Sequence, residues 1–332
     1  HQFRWNLKEP RVGDINLLTT YPDKAHMRNM LSYETYRDAG SPYHFVSPVR
    51  VQTNGGFYGT WHMVENGDED FLKRVGRDRD GALYKMYNSF ASSGDTVIGI
   101  NGTYAEKKTR KHEGNADLVA LFNGVNGIGT NKNLYLYDNL NISEAVNSIA
   151  ARIVTGDVDC CHKNYYFYRD SDGTGEWEAF PWDVDLSFGR NWSSSQSYWD
   201  DAVYPQNPLY IGNNNSFFNA LFTTPATKQM YLRRVRTLMD ELQQTNGTPA
   251  NELHYEQRID ELAPLLAPDA ALDLAKWGTW GGGSTGIPTT SPYWRTLPQS
   301  VEELKTNYLP RRRTWVFNQN MGGELPNARS EE

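Results

Sequence analysis

The segment from Asp157 to Gly189 constrains the fold of this chain more than any other. It reads DVDCCHKNYYFYRDSDGTGEWEAFPWDVDLSFG. Two runs within it, Tyr165–Asp170 and Glu176–Trp182, are rich in aromatic or alternating apolar residues and flank an Asp-Gly pair. That pattern predicts a β-hairpin with acidic stretches at both of its open ends.

The hairpin would bring oxygen-bearing side chains towards one point. Asp159 lies five residues before Asn164 ahead of the first arm, and Asp183 and Asp185 directly follow the second. If the chain is extended there, both of these carboxylates lie on one face, roughly 7 Å apart. Hard cations such as Mg²⁺ prefer such oxygen ligands, completed by water and phosphate oxygens. The same order of Asp, Asn and a second Asp is typical of kinase-type phosphoryl-transfer enzymes.

Each of these residues also has a purely structural interpretation. Asp159 could be a turn residue after a helix, and Asn164 could cap the start of a strand. Asp183 and Asp185 could merely end a strand. Two acids on one face would repel each other without a cation or a basic partner, so an ion is the simpler account.

The composition excludes several classes of protein. The chain has 332 residues, of which 38% are hydrophobic and 13% aromatic, as expected for a folded protein with an ample core. The sequence has no run of about 18 apolar residues, so we expect no membrane span. A net charge of −7 argues against a nucleic-acid partner, because phosphate binding needs a basic surface.

The two cysteines, Cys160 and Cys161, are adjacent. Neighbouring cysteines rarely close a bridge, so we expect no disulfide framework. The sequence starts at His1 without Met or a signal-peptide pattern. We therefore expect a piece of a longer protein whose targeting segment lies outside it, and the compartment stays open.

The remaining patterns predict strands in the first part of the chain and helices in the last. A helix is expected at Asp23–Gly40, a hairpin at His44–Glu65 around Asn54-Gly55, and a helix at Ser143–Thr155. Later helices are expected at Ser216–Leu221, Thr227–Gln244, Asn251–Ala263 and Val301–Asn318. Asn191–Asn215 reads as an irregular lid or substrate loop, and Trp277–Tyr293 as a Gly-rich loop with aromatic anchors. This order predicts an α+β fold in two lobes with a cleft between them.

Over most of its length the sequence resembles the CotH family of atypical, spore-coat protein kinases. The motifs that carry the resemblance are DKAHMRNMLSYETYRDAG, VQTNGGFYGTWHMVENGDEDFLKR, GALYKMYN, EKKT, DVDCCHKNYYFYRD with FPWDVDLSFG, and YLPRRRTWVFN. The family implies a kinase-like fold with a small, strand-rich N-lobe at 1–112, a helical C-lobe at 113–320 and a tail at 321–332. Only a remnant of the family's opening segment, Phe3–Lys8, is present, so the N-lobe is expected to be truncated.

The resemblance also implies site residues. Asp159 matches the catalytic-loop Asp, Asn164 its metal-binding Asn, and Asp183 the principal metal ligand, with Asp185 as a neighbouring ligand or supporting group. Two further residues come from the small lobe: Lys85 is the candidate for the phosphate-contacting lysine, with Glu65 as its ion-pair partner. Lys107 and Lys108 lie in a second family-like motif and are the alternative. Lys85 could also be an edge-strand lysine without a ligand, and Glu65 could simply end a strand.

These residues imply transfer of the γ-phosphoryl group of ATP to Ser or Thr of a protein substrate, with Mg²⁺ or Mn²⁺. A secreted or cell-surface location is favoured by the resemblance. One alternative is a catalytically weak or inactive surface or adhesion module on the same fold. It is motivated by the aromatic loops Asn191–Tyr210 and Trp277–Trp294 and by glycosylation sequons. Those sequons are at Asn101, Asn141, Asn191, Asn214 and Asn246. A phosphotransferase acting on a small molecule or sugar is a third possibility.

Overall fold

A computed structural model describes residues 3–5, 7–9, 11–91, 104–190, 214–278, 296–319, 325–327 and 329. The aromatic loop predicted at 191–215 lies outside these residues except for its last two positions. The Gly-rich loop predicted at 277–293 lies outside them except for its first two. No helix in the described part of the chain is long and apolar enough to cross a membrane.

A three-stranded antiparallel sheet forms the first layer, in the order β1-β3-β2. Its strands are β1 (Ile15–Thr19), β2 (Val46–Thr53) and β3 (Gly56–Glu65). The predicted hairpin is confirmed, because Asn54 and Gly55 form the turn between β2 and β3 with positive φ values of 52° and 81°. Those values suit the mirror-image turns that match the twist of paired strands.

A second antiparallel sheet has the order β5-β4-β6-β7. Its strands are β4 (Ala82–Met86), β5 (Ala105–Lys107), β6 (Tyr165–Arg169) and β7 (Trp177–Pro181). The hairpin predicted after the acidic loop is therefore present as β6 and β7. Every residue of β7 is buried, so both faces of that strand are covered. This sheet combines strands from both sides of the lobe boundary predicted at 112.

Helices make up most of the rest. They are α1 (Arg28–Asp38), α2 (Glu69–Arg74), α3 (Ala116–Val125), α4 (Lys132–Asn139), α5 (Ile142–Thr155), α6 (Ser216–Thr223), α7 (Pro225–Leu238), α8 (His254–Trp277), α9 (Leu297–Glu302) and α10 (Leu309–Thr314). Wider π-type turns extend α7 through Met239–Gln243 and join α9 to α10 through Glu303–Tyr308. Helix α5 packs against α1 and α7, and α8 packs against β3. The predicted α+β class is confirmed.

Helix α1 begins later than predicted. Asp23 organises a turn ahead of the helix, where its carboxylate accepts hydrogen bonds from the backbone N–H groups of Ala25, Met27 and Arg28. The Arg28 guanidinium also donates to it, at 2.6 Å. The helix therefore starts at Arg28, although its predicted stop near Gly40, with a positive φ of 74°, is confirmed.

Helix α8 is longer than predicted. The sequence pattern placed its end at Ala263, before the two prolines, but the helix continues through Pro264 and Pro268 to Trp277. A proline in a helix leaves the carbonyl four residues earlier without its usual donor. Those carbonyls belong to Asp260 and Pro264, which are exposed together with Pro268. Because this stripe of the helix faces water, solvent can satisfy both carbonyls.

Candidate functional site

The acidic loop is held between a helix end and the β6–β7 hairpin. Helix α5 stops at Gly156, whose left-handed conformation has a φ of 64°. Asn164 also has a positive φ, 63°, and turns the chain into β6. Across the hairpin, the backbone N–H of Trp182 donates to the carbonyl of Asn164 at 3.1 Å. This bond places Asp183 beside the end of the loop.

Asp159 is fixed by contacts from within its own loop. The Asn164 amide donates to the Asp159 backbone oxygen at 3.0 Å and to its carboxylate Oδ2 at 2.9 Å. Lys163 Nζ lies 3.2 Å from the same Oδ2, and His162 Nε2 lies 3.4 Å from Oδ1. The hydrogen bond with Asp159 raises the pKa of His162. Lys163 was not among the predicted site residues, although a cation directly before Asn164 is a visible signal in the sequence.

Asp183 and Asp185 line the same cleft as Asp159, His162 and Lys163, with a volume of about 350 Å³. The expectation that both acids lie on an extended strand is wrong. Strand β7 ends at Pro181, and Asp183 takes a left-handed conformation with a φ of 53°. An aspartate tolerates this conformation better than most residues.

Helix α1 supports the segment that carries these acids. The Ser32 hydroxyl donates to the Val184 carbonyl at 3.4 Å and lies 2.7 Å from the Ser187 hydroxyl. Arg28 Nε donates to the Phe188 carbonyl at 3.3 Å. The backbone N–H of Val158 also donates to the Leu186 carbonyl, at 3.2 Å. The loop and the acid segment are therefore tied to each other as well as to the helix.

The carboxylates in the cleft disfavour one another's ionised form. Burial and the nearby Asp159 raise the pKa of Asp183. Burial also raises the pKa of Asp185 well above its usual value, with Asp183 and Asp23 adding to the effect. Within the described residues, no hydrogen bond or ion pair joins the side chain of Asp183 or Asp185 to another group. A cation bound between these oxygens would relieve the repulsion.

The oxygen atoms at the cleft fit a hard divalent ion that binds only a few protein ligands. No group of three or more His, Cys, Asp or Glu side chains in the described residues is arranged as a complete metal centre. Mg²⁺ commonly uses one or two carboxylates and takes its other oxygens from water and phosphate. Asp183, Asp185 and the amide oxygen of Asn164 match that pattern.

Lys85 is the small-lobe lysine that faces the acids. It lies on β4 with its Nζ 4.7 Å from the centre of the Trp182 ring, and its charge lowers the pKa of Asp183. Lys107 is held elsewhere, since its Nζ donates to the Gly114 carbonyl at 2.8 Å and lies 3.5 Å from Glu113. Lys108 Nζ lies 3.1 Å from Glu106. Of the three candidates, only Lys85 acts electrostatically on Asp183.

The predicted ion pair between Lys85 and Glu65 is wrong. Glu65, at the end of β3, is paired with Arg74 in the last turn of α2, at 2.6 Å. Its carboxylate also accepts a hydrogen bond from the Phe45 backbone N–H at 3.1 Å. Arg74 follows Glu65 by only nine residues, and the turn into α2 brings the two together.

The expectation that the cysteines stay unbridged is also wrong. Cys160 and Cys161 form a disulfide between neighbouring residues, with their Cα atoms 3.7 Å apart. Both are buried, and Cys161 has a positive φ of 77°. The turn at Cys161 brings the two sulfurs together on the buried side of the loop. Its carbonyl accepts a hydrogen bond from the Asn215 amide at 3.1 Å.

Comparison with known proteins agrees with these motifs. A family model described as CotH kinase protein matches residues 6–316. Inner spore coat protein H of Bacillus subtilis (strain 168) is 25% identical over 186 residues, which is 54% of this chain. The match covers 51% of the relative, so the chain spans about half the length of that curated protein. Because the family model covers well over half of the sequence, the chain belongs to the CotH kinase protein family.

Proposed function

We propose that this protein transfers the γ-phosphoryl group of ATP to a serine or threonine hydroxyl of a protein substrate. The main support is that Asp159 and Asp183 line one cleft and that Asn164 is hydrogen-bonded to Asp159. Asp183 and Asp185 are not neutralised by a tight protein partner in the described residues, unlike most buried carboxylates. Phosphoryl transfer depends mainly on positioning and charge neutralisation, which such a cleft can provide.

In this proposal, Asp159 accepts the proton of the attacking hydroxyl. Its Oδ2 is oriented by Asn164 and Lys163, which fixes the direction of its remaining lone pairs. A positioned general base contributes roughly 10²- to 10⁴-fold to a rate. Lys163 and Lys85 both lower the pKa of Asp183 and would face the phosphates.

Asp183, Asn164 and Asp185 would hold Mg²⁺ or Mn²⁺. When bound, that ion supplies neutralisation of the negative charge on the phosphate oxygens. The chain's own residues set where the ion and the nucleotide can lie, because α1 and the hairpin fix both acidic segments.

The test is transfer of radiolabel from γ-labelled ATP to a serine-rich protein in the presence of Mn²⁺. Asp159→Asn and Asp183→Asn should each lose about 100-fold or more of the transfer rate. Asp172→Asn is the matched control, since this exposed acid lies in the hairpin turn and pairs with Arg110. Equal labelling by the wild type and Asp183→Asn would contradict the proposal.

Nucleotide binding distinguishes the proposed kinase from the alternative, a surface module without turnover. Its aromatic loops lie outside the described residues apart from Trp277 and Gly278. An intact phosphotransfer site should raise the melting temperature when ATP and Mg²⁺ are added together. No shift would favour the surface module.

For location we propose the spore or cell surface, because the curated relative is named as an inner spore coat protein. Recovery of the protein from the cell interior alone would contradict this.

A further inference from the structure

A second cleft lies beside the catalytic one. It has a volume of about 280 Å³ and is lined by the end of β1, the first half of β3 and the end of α8. The segment from Thr19 to Lys24 separates the two clefts, because Pro22 lines the catalytic cleft and its neighbours line the second. The second cleft has a different character, since aromatic rings form its walls and a charge pair lies at its base.

Tyr58, Trp61 and Trp277 supply the aromatic walls. The Trp277 indole N–H donates to the Tyr58 carbonyl at 2.6 Å, so this ring is held although its side chain is 53% exposed. The Tyr58 ring is inclined by 47° to Trp61 and by 76° to Trp277. Gly59 makes the arrangement possible, because a Cβ there would lie 2.9 Å from the Trp61 indole nitrogen.

Lys24 and Asp273 form the charge pair. Lys24 Nζ lies 3.9 Å from Asp273 Oδ2, and both side chains are almost buried. The other carboxylate oxygen of Asp273 accepts a hydrogen bond from the Thr60 backbone N–H at 2.9 Å. An ionic ligand would be attracted by one member of this pair and repelled by the other. A neutral ligand that both donates and accepts hydrogen bonds gains from both.

We propose that this cleft binds one ring of a neutral saccharide. A pyranose presents C–H faces to aromatic walls, while its hydroxyls can donate to Asp273 and accept from Lys24. The volume is near the lower end of ligand cavities, roughly 300 Å³, which suits a single ring. A flat nucleobase fits less well, because it prefers parallel walls and these rings are steeply inclined to one another.

Saturation-transfer NMR with cellobiose, maltose and N,N′-diacetylchitobiose tests the proposal without any measurement of phosphotransfer. At least one of these sugars should receive saturation from the protein. Trp277→Ala should weaken its binding by about tenfold or more, as loss of an aromatic wall would. Tyr137→Ala is the matched control, since Tyr137 is a 48% exposed ring on α4, away from the cleft.

A second variant can be used if Trp277→Ala does not fold. Tyr21, which also lines the cleft and is 46% exposed, can be replaced by alanine with the same expected weakening. Transfer to none of the three sugars would overturn the proposal, as would binding unchanged in both cleft variants. Adenosine binding that is lost in Trp277→Ala, with no sugar binding, would assign the cleft to a nucleoside instead.

Discussion

Two groups of buried acids lie close together in this protein, and their surroundings shift their pKa values in opposite directions. Asp23, ahead of α1, is enclosed by protein donors. Burial alone would raise its pKa, but Arg28 and the backbone N–H groups lower it to about 2. Asp183 and Asp185 are also largely enclosed, yet burial and neighbouring carboxylates raise the pKa of both.

The difference separates a structural acid from acids that need an outside partner. Asp23 is ionised because the fold supplies its counter-charge, and it orients α1 beneath the cleft. Lys163 and Lys85 lower the pKa of Asp183 only in part, and Asp185 is surrounded by other carboxylates that raise its pKa further. Natural proteins rarely bury like charges without a compensating ligand.

The largest expected effect is a difference in how the two groups respond to Asp→Asn substitution. Stability should fall in the first group and should not fall in the second. Asp23→Asn should lower the free energy of unfolding by about 3–5 kcal/mol, because it removes the carboxylate charge that pairs with the buried Arg28 guanidinium. Asp183→Asn should leave stability unchanged or slightly higher in EDTA, since it removes a repelling charge and Asn tolerates the left-handed conformation. Urea unfolding measures both. A loss of similar size in Asp183→Asn would remove the distinction between the two groups.

The second expected effect is a loss of stability in acid from two buried histidines, one near Asp23 and one against Phe71. Burial lowers the pKa of His26 and of His44 to about 3. The unfolded chain therefore binds protons first, and stability present above about pH 6.5 is lost as the pH falls towards the folded value. At pH 5 each histidine should have removed about 2 kcal/mol.

The contribution of His44 can be isolated. In His44→Phe, the fall in unfolding free energy between pH 7 and pH 5 should be smaller than in the wild type by about 2 kcal/mol. His112→Gln should show the wild-type fall, since 79% of the His112 side chain is exposed. An unchanged slope in His44→Phe would mean that this ring titrates normally in the folded protein.

The third effect concerns Lys85 and Lys107, two of the three candidate lysines. Lys85→Met should raise KM for ATP by roughly tenfold or more, through loss of a charged contact to phosphate. Lys107→Met should leave KM close to the wild-type value, because Lys107 is occupied by Gly114 and Glu113. Steady-state kinetics at varied ATP decides between them, and the reverse result would transfer the role to Lys107.

The smallest effect is expected from the disulfide in the acidic loop. Reduction of Cys160–Cys161 should lower the phosphotransfer rate several-fold, because the bridge lies between Asp159 and Asn164 and restrains their spacing. Thiol labelling should find two cysteines after reduction and none before. The double variant C160S/C161S is the control, since a thiol reductant should not change its rate. A wild-type rate that is insensitive to reduction would exclude this role.

Local signals in the sequence were enough to predict both hairpins and the loop that carries Asp159 and Asn164. Asn54-Gly55 specified a turn, and the spacing across the β6–β7 hairpin was enough to bring Asp159, Asn164 and Asp183 together. Such features depend on neighbours in the chain or directly across a hairpin, so a pattern can reveal them.

Choices between distant or competing partners were not predictable in the same way. Glu65 could have met either Lys85 or Arg74, and only the turn into α2 selects Arg74. The extent of α8 depends on Pro264 and Pro268 facing water, which the sequence alone does not show. The left-handed conformation of Asp183 is likewise set by the packed segment around it rather than by its own preference.

Binding of Mn²⁺ in the presence of a non-hydrolysable ATP analogue tests most directly whether the unneutralised acids form a cation site. Electron paramagnetic resonance reports the free ion, and its signal should fall when wild-type protein and analogue are added. Asp183→Asn should bind Mn²⁺ at least about tenfold more weakly, whereas Asp172→Asn should bind it like the wild type. Equal binding by the wild type and Asp183→Asn would contradict the account.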